Sequence, residues 1–137
     1  MSMPAEALIV DQLIVQRTVR ANLAQEDRMA YDKSLADRIR TVLKSDPRLI
    51  EKQAFGGISF MMNGNVACGV IGDEMMVRVG PAAHDEAVQR PHARIFDFSG
   101  RPSRGWIMVG AGGLQSKADL KRWVQRGVDF ALSLPVK

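Results

Sequence analysis

The stretch from Phe55 to Pro81, F-G-G-I-S-F-M-M-N-G-N-V-A-C-G-V-I-G-D-E-M-M-V-R-V-G-P, restricts the fold more than any other part of the chain. Apolar residues alternate there with small or polar ones. The alternation breaks at Gly56-Gly57, Asn63-Gly64-Asn65, Gly72-Asp73 and Gly80-Pro81. Such dipeptides supply the backbone angles of tight hairpin turns, so short strands joined by turns are expected, with Gly56, Gly57, Asn63, Gly64, Gly80 and Pro81 defining the breaks. The pattern places strands at Ile50–Phe55, Ile58–Met62, Val66–Ile71 and Met75–Val79. Side chains alternate across a strand, which puts Ile58, Phe60 and Met62 on one face of the second, Val66, Cys68 and Val70 on one face of the third, and Met75, Val77 and Val79 on one face of the fourth. Met61, Met76 and Arg78 then point the other way.

Helical signals flank this block. Asp32 suits an N-cap, and Leu35, Ala36, Ile39, Val42 and Leu43 form an apolar stripe behind it, which Pro47 is expected to end. Gly80-Pro81 opens a short helix over Ala82–Gln89, where a proline's missing N–H costs nothing. Two further strands, Arg94–Phe98 and Trp106–Val109, are expected on either side of a polar loop, Ser99–Gly105. Ser116 caps a last helix with Asp119 three residues on, and Leu120, Trp123, Val124, Gly127, Val128 and Ala131 make its buried stripe. A sheet with one strongly apolar face needs helices over it. The expected fold class is therefore α+β: two layers, an antiparallel sheet covered by helices. Residues 1–28 read differently. Their apolar bursts at Ala7–Val10 and Leu13–Val15 fit a short helix or a strand, and they are expected to form an extension ahead of a domain over residues 29–137.

The chain has 137 residues, 46% hydrophobic and 25% charged, which suits one globular domain. Cys68 is its single cysteine, so no disulfide can form within it, and a reducing, cytoplasmic setting is expected. No apolar run reaches the ~18 residues of a membrane span. The formal charge of +4 favours acidic partners only weakly.

Further along, a succession of short motifs appears: M-A-Y-D at 29–32, E-K-Q-A-F-G-G at 51–57, N-G-N at 63–65, C-G-V at 68–70, M-V-R-V-G-P at 76–81, D-F-S-G-R-P at 97–102, R-G-W at 104–106 and L-S-L-P at 132–135. In this order they resemble the TfoX/Sxy family, specifically its N-terminal domain, over nearly all of the chain after Met29. The resemblance implies a two-layer fold like that of type III secretion chaperones, with helices on one side of an antiparallel sheet. It also implies a regulatory setting. The best-known members are regulators of DNA uptake and competence that act with a cyclic-AMP-responsive activator at promoters, and they carry a further C-terminal helical domain. The expectation here is the N-terminal domain standing alone. No catalytic residues are attributed to the family, so the resemblance implies none.

The residues themselves offer few chemical sites. His84, on a helix expected to be exposed, and His92, in a loop, do not converge with Cys68 on a metal, which needs three or four ligands. Cys68 has no activating base beside it and belongs to a buried face. No catalytic set, metal or cofactor is expected. Lys52, Arg78, Arg101, Arg104 and Trp106 are the candidate binding residues, because guanidinium groups beside an aromatic suit carboxylate or phosphate recognition. Their expected occupant is a protein partner, transcription-linked by the resemblance. Direct DNA reading is the weaker reading, since no helix carries the Arg, Asn and Gln spacing of major-groove recognition. Met61 and Met76 offer a homodimer contact as an open alternative. A different class of function is a small-ligand or nucleotide binder, or an enzyme, using the Gly110–Gly113 turn and the loop arginines. That run matches neither of the established phosphate-loop patterns.

Overall fold

The computed structural model of the chain describes residues 31–54, 56–98 and 101–137. The extension expected over residues 1–28, and the domain start at Met29, lie outside the described residues. The elements are α1 (Lys33–Leu43), β1 (Leu49–Ala54), β2 (Gly57–Met62), β3 (Asn65–Ile71), β4 (Glu74–Arg78), α2 (His84–Val88), β5 (Ala93–Phe98), β6 (Arg101–Val109), a 3-10 turn (Ala111–Gly113) and α3 (Lys117–Ser133). The strands form one six-stranded sheet in the order β1-β2-β3-β4-β6-β5. Every neighbouring pair is antiparallel. The fold is α+β, and α3 and α1 lie on one face of the sheet.

Local chemistry explains most of the hairpins. Asn63 (φ 53°) and Gly64 (φ 81°) both occupy the left-handed region, as a tight hairpin turn between β2 and β3 demands. On the helix side, one transverse row of Cα partners reads Glu51, Phe60, Cys68, Val77, Ile107. Phe60, Cys68, Val77 and Ile107 in that row are fully buried. Above them α3 lays down Leu120, Trp123, Val124, Gly127, Val128 and Ala131, the stripe read from its spacing. Gly127 lets the helix settle onto β3, because a Cβ there would overlap the carbonyl oxygen of Ala67. The Ser116 hydroxyl accepts the Asp119 N–H at 3.0 Å and starts the helix.

Helix α1 begins as expected, with Asp32 Oδ1 accepting the Leu35 N–H at 3.1 Å. It buries Leu35, Ala36 and Ile39. Arg38 donates to the Leu114 carbonyl at 2.6 Å and ties α1 to the turn before α3. The helix ends earlier than Pro47. Lys44 takes φ 57°, and its N–H closes on the Arg40 carbonyl at 2.8 Å, so the chain turns away three residues before the proline.

Four further expectations are corrected. The loop expected over Ser99–Gly105 is mostly strand: β6 begins at Arg101, and Pro102 and Arg101 pair with Asp97 and Phe98. The polar composition suits an edge hairpin as well as a loop, and the Gly105 carbonyl accepts the N–H groups of Val79 (2.8 Å) and Gly80 (3.1 Å). Val66 does not share a face with Cys68 and Val70. The β2–β3 register shifts after Phe60, Met61 pairs with Val66, and Ala67 becomes the extra residue of a bulge. His84 is buried instead of exposed, and its Nδ1 accepts the Gly105 N–H at 2.9 Å. The helix carrying it is also shorter than Ala82–Gln89, because Pro81–Ala83 form a turn ahead of it.

Candidate functional site

One residue further along each strand, the register builds the opposite face of the sheet. Its central row runs Lys52, Ser59, Gly69, Met76, Met108, Arg94. The neighbouring row carries Ile50 beside Met61, Met61 beside Val66, and Arg78 beside Trp106. Among the described residues no helix covers the middle of this face, and Phe130 of α3 reaches only Arg78 at its margin. Ile50, at the edge, is 58% exposed.

This face is grooved, and Gly57, which supplies no side chain, is part of the lining. The groove, of about 360 Å³, is walled by Met61 and Val66, by Ile71 and Met76, and by Phe96, Trp106 and Ser103. The Phe96 and Trp106 rings meet edge to face, centroids 6.4 Å apart at 80°. Among the described residues, Lys52 is the single charged one in the lining, with Ser59 on the partner strand beside it. The bulge at Ala67 matters here, since it turns Val66 into this wall.

The cations of this face fall into two groups. Arg94 is paired with Glu74 at 2.5 Å. Arg104 is paired with Asp85 at 3.1 and 3.2 Å, and that guanidinium holds the Asp85 carboxyl below the usual carboxylate range. Arg78 and Lys52, in contrast, have no carboxylate partner among the described residues. Arg78 is half-buried between two rings, its guanidinium 4.9 Å from the Trp106 centroid and 5.3 Å from that of Phe130. Burial lowers its pKa from the ordinary arginine value. A stacked, partly desolvated guanidinium keeps its N–H fork free for a planar acceptor.

The structure thus brings Lys52, Trp106 and Arg78 to one face and separates Arg104, which is neutralised at the α2 end. Arg101 opens β6, opposite Phe98. Phe96, Val66 and Ile71 belong to the groove without having been singled out as candidates. Met61, Ile71 and Met76, apolar where the alternation should place polar residues, are the sequence signal that could have pointed to an apolar second face.

A second cleft, of about 440 Å³, lies beside the 3-10 turn, between Arg90, His92, Gly112, Gly113, Arg122, Trp123 and Arg126. The turn itself offers little to an anion. The N–H groups of Gly113 and Leu114 donate to the carbonyls of Gly110 (2.9 Å) and Ala111 (3.0 Å), and the His92 ring covers Gly112. Arg90 and Arg126 share the Glu86 carboxylate at 2.7 Å each, and Arg122 pairs with Asp119. Hydrogen bonds from Arg126, then Arg90, pull the Glu86 carboxyl down to about 2.

Cys68 is buried on the helix side, and desolvation pushes its thiol up to about 12, the opposite of what a nucleophile needs. Among the described residues no three His, Cys, Asp or Glu side chains gather as a metal site. No helix among them is long and apolar enough to cross a membrane. The arrangement is an apolar groove that includes Lys52, which meets no carboxylate among the described residues.

The family profile described as the TfoX N-terminal domain matches residues 42–131. No curated protein and no solved structure matches the chain.

Proposed function

Because the chain belongs to the TfoX N-terminal domain family, we propose that it is a non-catalytic docking module which recruits a protein partner, in a transcription-linked setting, through the open face of its sheet. The observation that carries this reading is the asymmetry of the sheet: one face is closed by α1 and α3, while the other keeps an apolar groove lined in part by Lys52, which meets no carboxylate among the described residues. A groove of this kind excludes water from a partner's apolar side chains, and the free cations select its charge. A protein partner is favoured over direct DNA reading, since Arg94 and Arg104 are already engaged by carboxylates. The single cysteine, held as a buried thiol, fits a cytoplasmic setting.

The test is affinity capture with the full chain and with Met61→Glu, each with and without nuclease. The expected result is a set of promoter-associated proteins that survives nuclease and is lost with Met61→Glu. Capture that is indifferent to Met61→Glu, or abolished by nuclease, overturns the reading. Self-association through the same face is a variant of it, and light scattering that shows a monomer at high concentration removes that variant.

The second reading is a small-anion or nucleotide site in the cleft of Arg90, Arg122 and Arg126, where three guanidinium groups outnumber the two carboxylates Glu86 and Asp119. Thermal-shift measurements with a nucleotide panel test it. The absence of any stabilisation sets it aside.

A further inference from the structure

The groove on the open face has two unlike ends. Its lining draws on all six strands. Lys52 comes from β1, the outermost strand of the described sheet on one side, and Phe96 from β5, the outermost on the other. Lys52 stands directly across from Ser59 of β2, and residues paired in this way have Cβ atoms ~5 Å apart. An ammonium and a hydroxyl thus sit side by side, and neither side chain has a hydrogen-bond partner among the described residues. Toward the other end the walls are Met76, Trp106 and Phe96, with the Ser103 hydroxyl as the one described polar side chain there. Among the described residues no carboxylate lines the groove. Its volume of about 360 Å³ lies within the ~300–1,000 Å³ of small-molecule sites, which join apolar walls to a few placed polar groups.

A lining of this kind selects an elongated molecule with one charged end. One cation answers one negative charge, and the two oxygens of a carboxylate can accept from the Lys52 ammonium and the Ser59 hydroxyl together. A phosphate ester would bring a second charge that no other described cation in the lining meets. An apolar tail exchanges water for the side chains of Met61, Val66, Ile71 and Met76, and the unbranched thioethers adapt to its shape. We propose that the groove is a binding site for an aliphatic carboxylate, a fatty-acid-like monoanion, with its head at Lys52 and Ser59 and its tail directed toward Trp106 and Phe96. Tail burial supplies most of the affinity. The exposed Lys52 ammonium adds a smaller share, because water and salt screen an ion pair there. The site exists whether or not the open face also docks a partner. Where it does, ligand and partner compete for the same surface.

The experiment is an NMR titration of the full chain with octanoate, octanamide, octyltrimethylammonium and butyrate, each kept below any micelle concentration. Octanoate is expected to move the amides of Ser59 and Met76 and the indole N–H of Trp106. It is expected to bind at least threefold more tightly than octanamide, and at least tenfold more tightly than the cation or than butyrate, which keeps the head and loses most of the tail. Lys52→Met retains the apolar stem and removes the charge. At this exposed position it is expected to leave a folded amide spectrum and to cut the preference for octanoate over octanamide below twofold. Equal binding of octanoate and octanamide overturns the proposal, and so does equal binding of octanoate and butyrate. Shifts confined to the arginine cleft, a preference that survives Lys52→Met, or no binding at all overturn it too. Octanoate bound as expected, with partner capture indifferent to Met61→Glu, would remove the docking reading and leave the ligand site. Capture that depends on Met61, with no octanoate bound, would do the reverse.

Discussion

The two faces of this sheet are made by the same strands, one residue out of step, and they ended up with opposite physics. On the helix side, Phe60, Cys68, Val77 and Ile107 form a row with no exposure, sealed by α1 and α3. On the other side, Ser59, Gly69, Met76 and Met108 form a row beside a groove lined by Ser59 and Met76, with Lys52 and the Phe96 and Trp106 rings around it. The covered face uses its apolar surface to hold the fold together. On the open face Met76 and Met108 are nearly buried, while Met61, Val66 and Ile71 stay half-buried along the groove and Ile50 is exposed at the edge. Alternation of apolar and polar residues normally separates the core from water. Here Met61, Val66, Ile71 and Met76 make the second face apolar as well.

If the comparison holds, substitution should separate the faces by stability first. Phe60→Ala removes a fully buried ring and should cost about 3–5 kcal/mol, whereas Met61→Ala, next in sequence but on the open face, should cost about 1 kcal/mol or less. Urea denaturation of the two variants measures this, and equal losses would erase the distinction between the faces. Gly127→Ala is expected to come next. Its Cβ would press on the backbone carbonyl of Ala67, which cannot swing aside, and such overpacking costs about 1–3 kcal/mol. A neutral or stabilised variant would mean that α3 rides higher on the sheet than described.

The smallest effect concerns the ion pairs that border the covered side. Glu86 joins α2 to Arg126 of α3 and to Arg90, and its folded pKa of about 2 lies below the carboxylate's ordinary value of 4.5. A lowered folded value means that the stabilisation is complete above the unfolded pKa and is lost as pH falls through the folded one. The difference in urea midpoint between the wild type and Glu86→Gln should therefore be constant near neutrality and vanish between about pH 4.5 and pH 2. A difference that persists unchanged into that range would show that Glu86 acts through packing and not through its charge. Lys52 and Arg78 have no carboxylate to lose, so the open face should keep its groove over the same range.

Much of the framework was legible in advance, because it rests on local rules. The Asn63-Gly64 turn, the caps at Asp32 and Ser116, and the stripe from Leu120 to Ala131 all follow from backbone angles and helical spacing, which need no knowledge of distant residues. The misreadings share the opposite property. His84 looked exposed because its helix is short and polar, yet a distant N–H, that of Gly105, holds its ring inside. Arg104 looked free in a loop until Asp85, nineteen residues earlier, proved to face it. The segment after Arg101 looked like a loop because edge strands and loops share the same polar composition, and only pairing with β5 tells them apart.

The candidate site shows the same division. Lys52, Arg78, Trp106, Met61 and Met76 were recognisable as chemically capable residues, and their strand positions followed from the two-residue period of the pleat. That four of them, Lys52, Trp106, Met61 and Met76, line one groove was not recognisable. This depended on a single extra residue at Ala67, which turns Val66 to the open face, and on the pairing of β4 with β6, which brings Trp106 to the same face as Met76. Local order is written in neighbouring residues through short-range sterics and hydrogen bonds. A surface is assembled from residues far apart in the chain, and its shape exists only after strand register has chosen which of them stand next to one another.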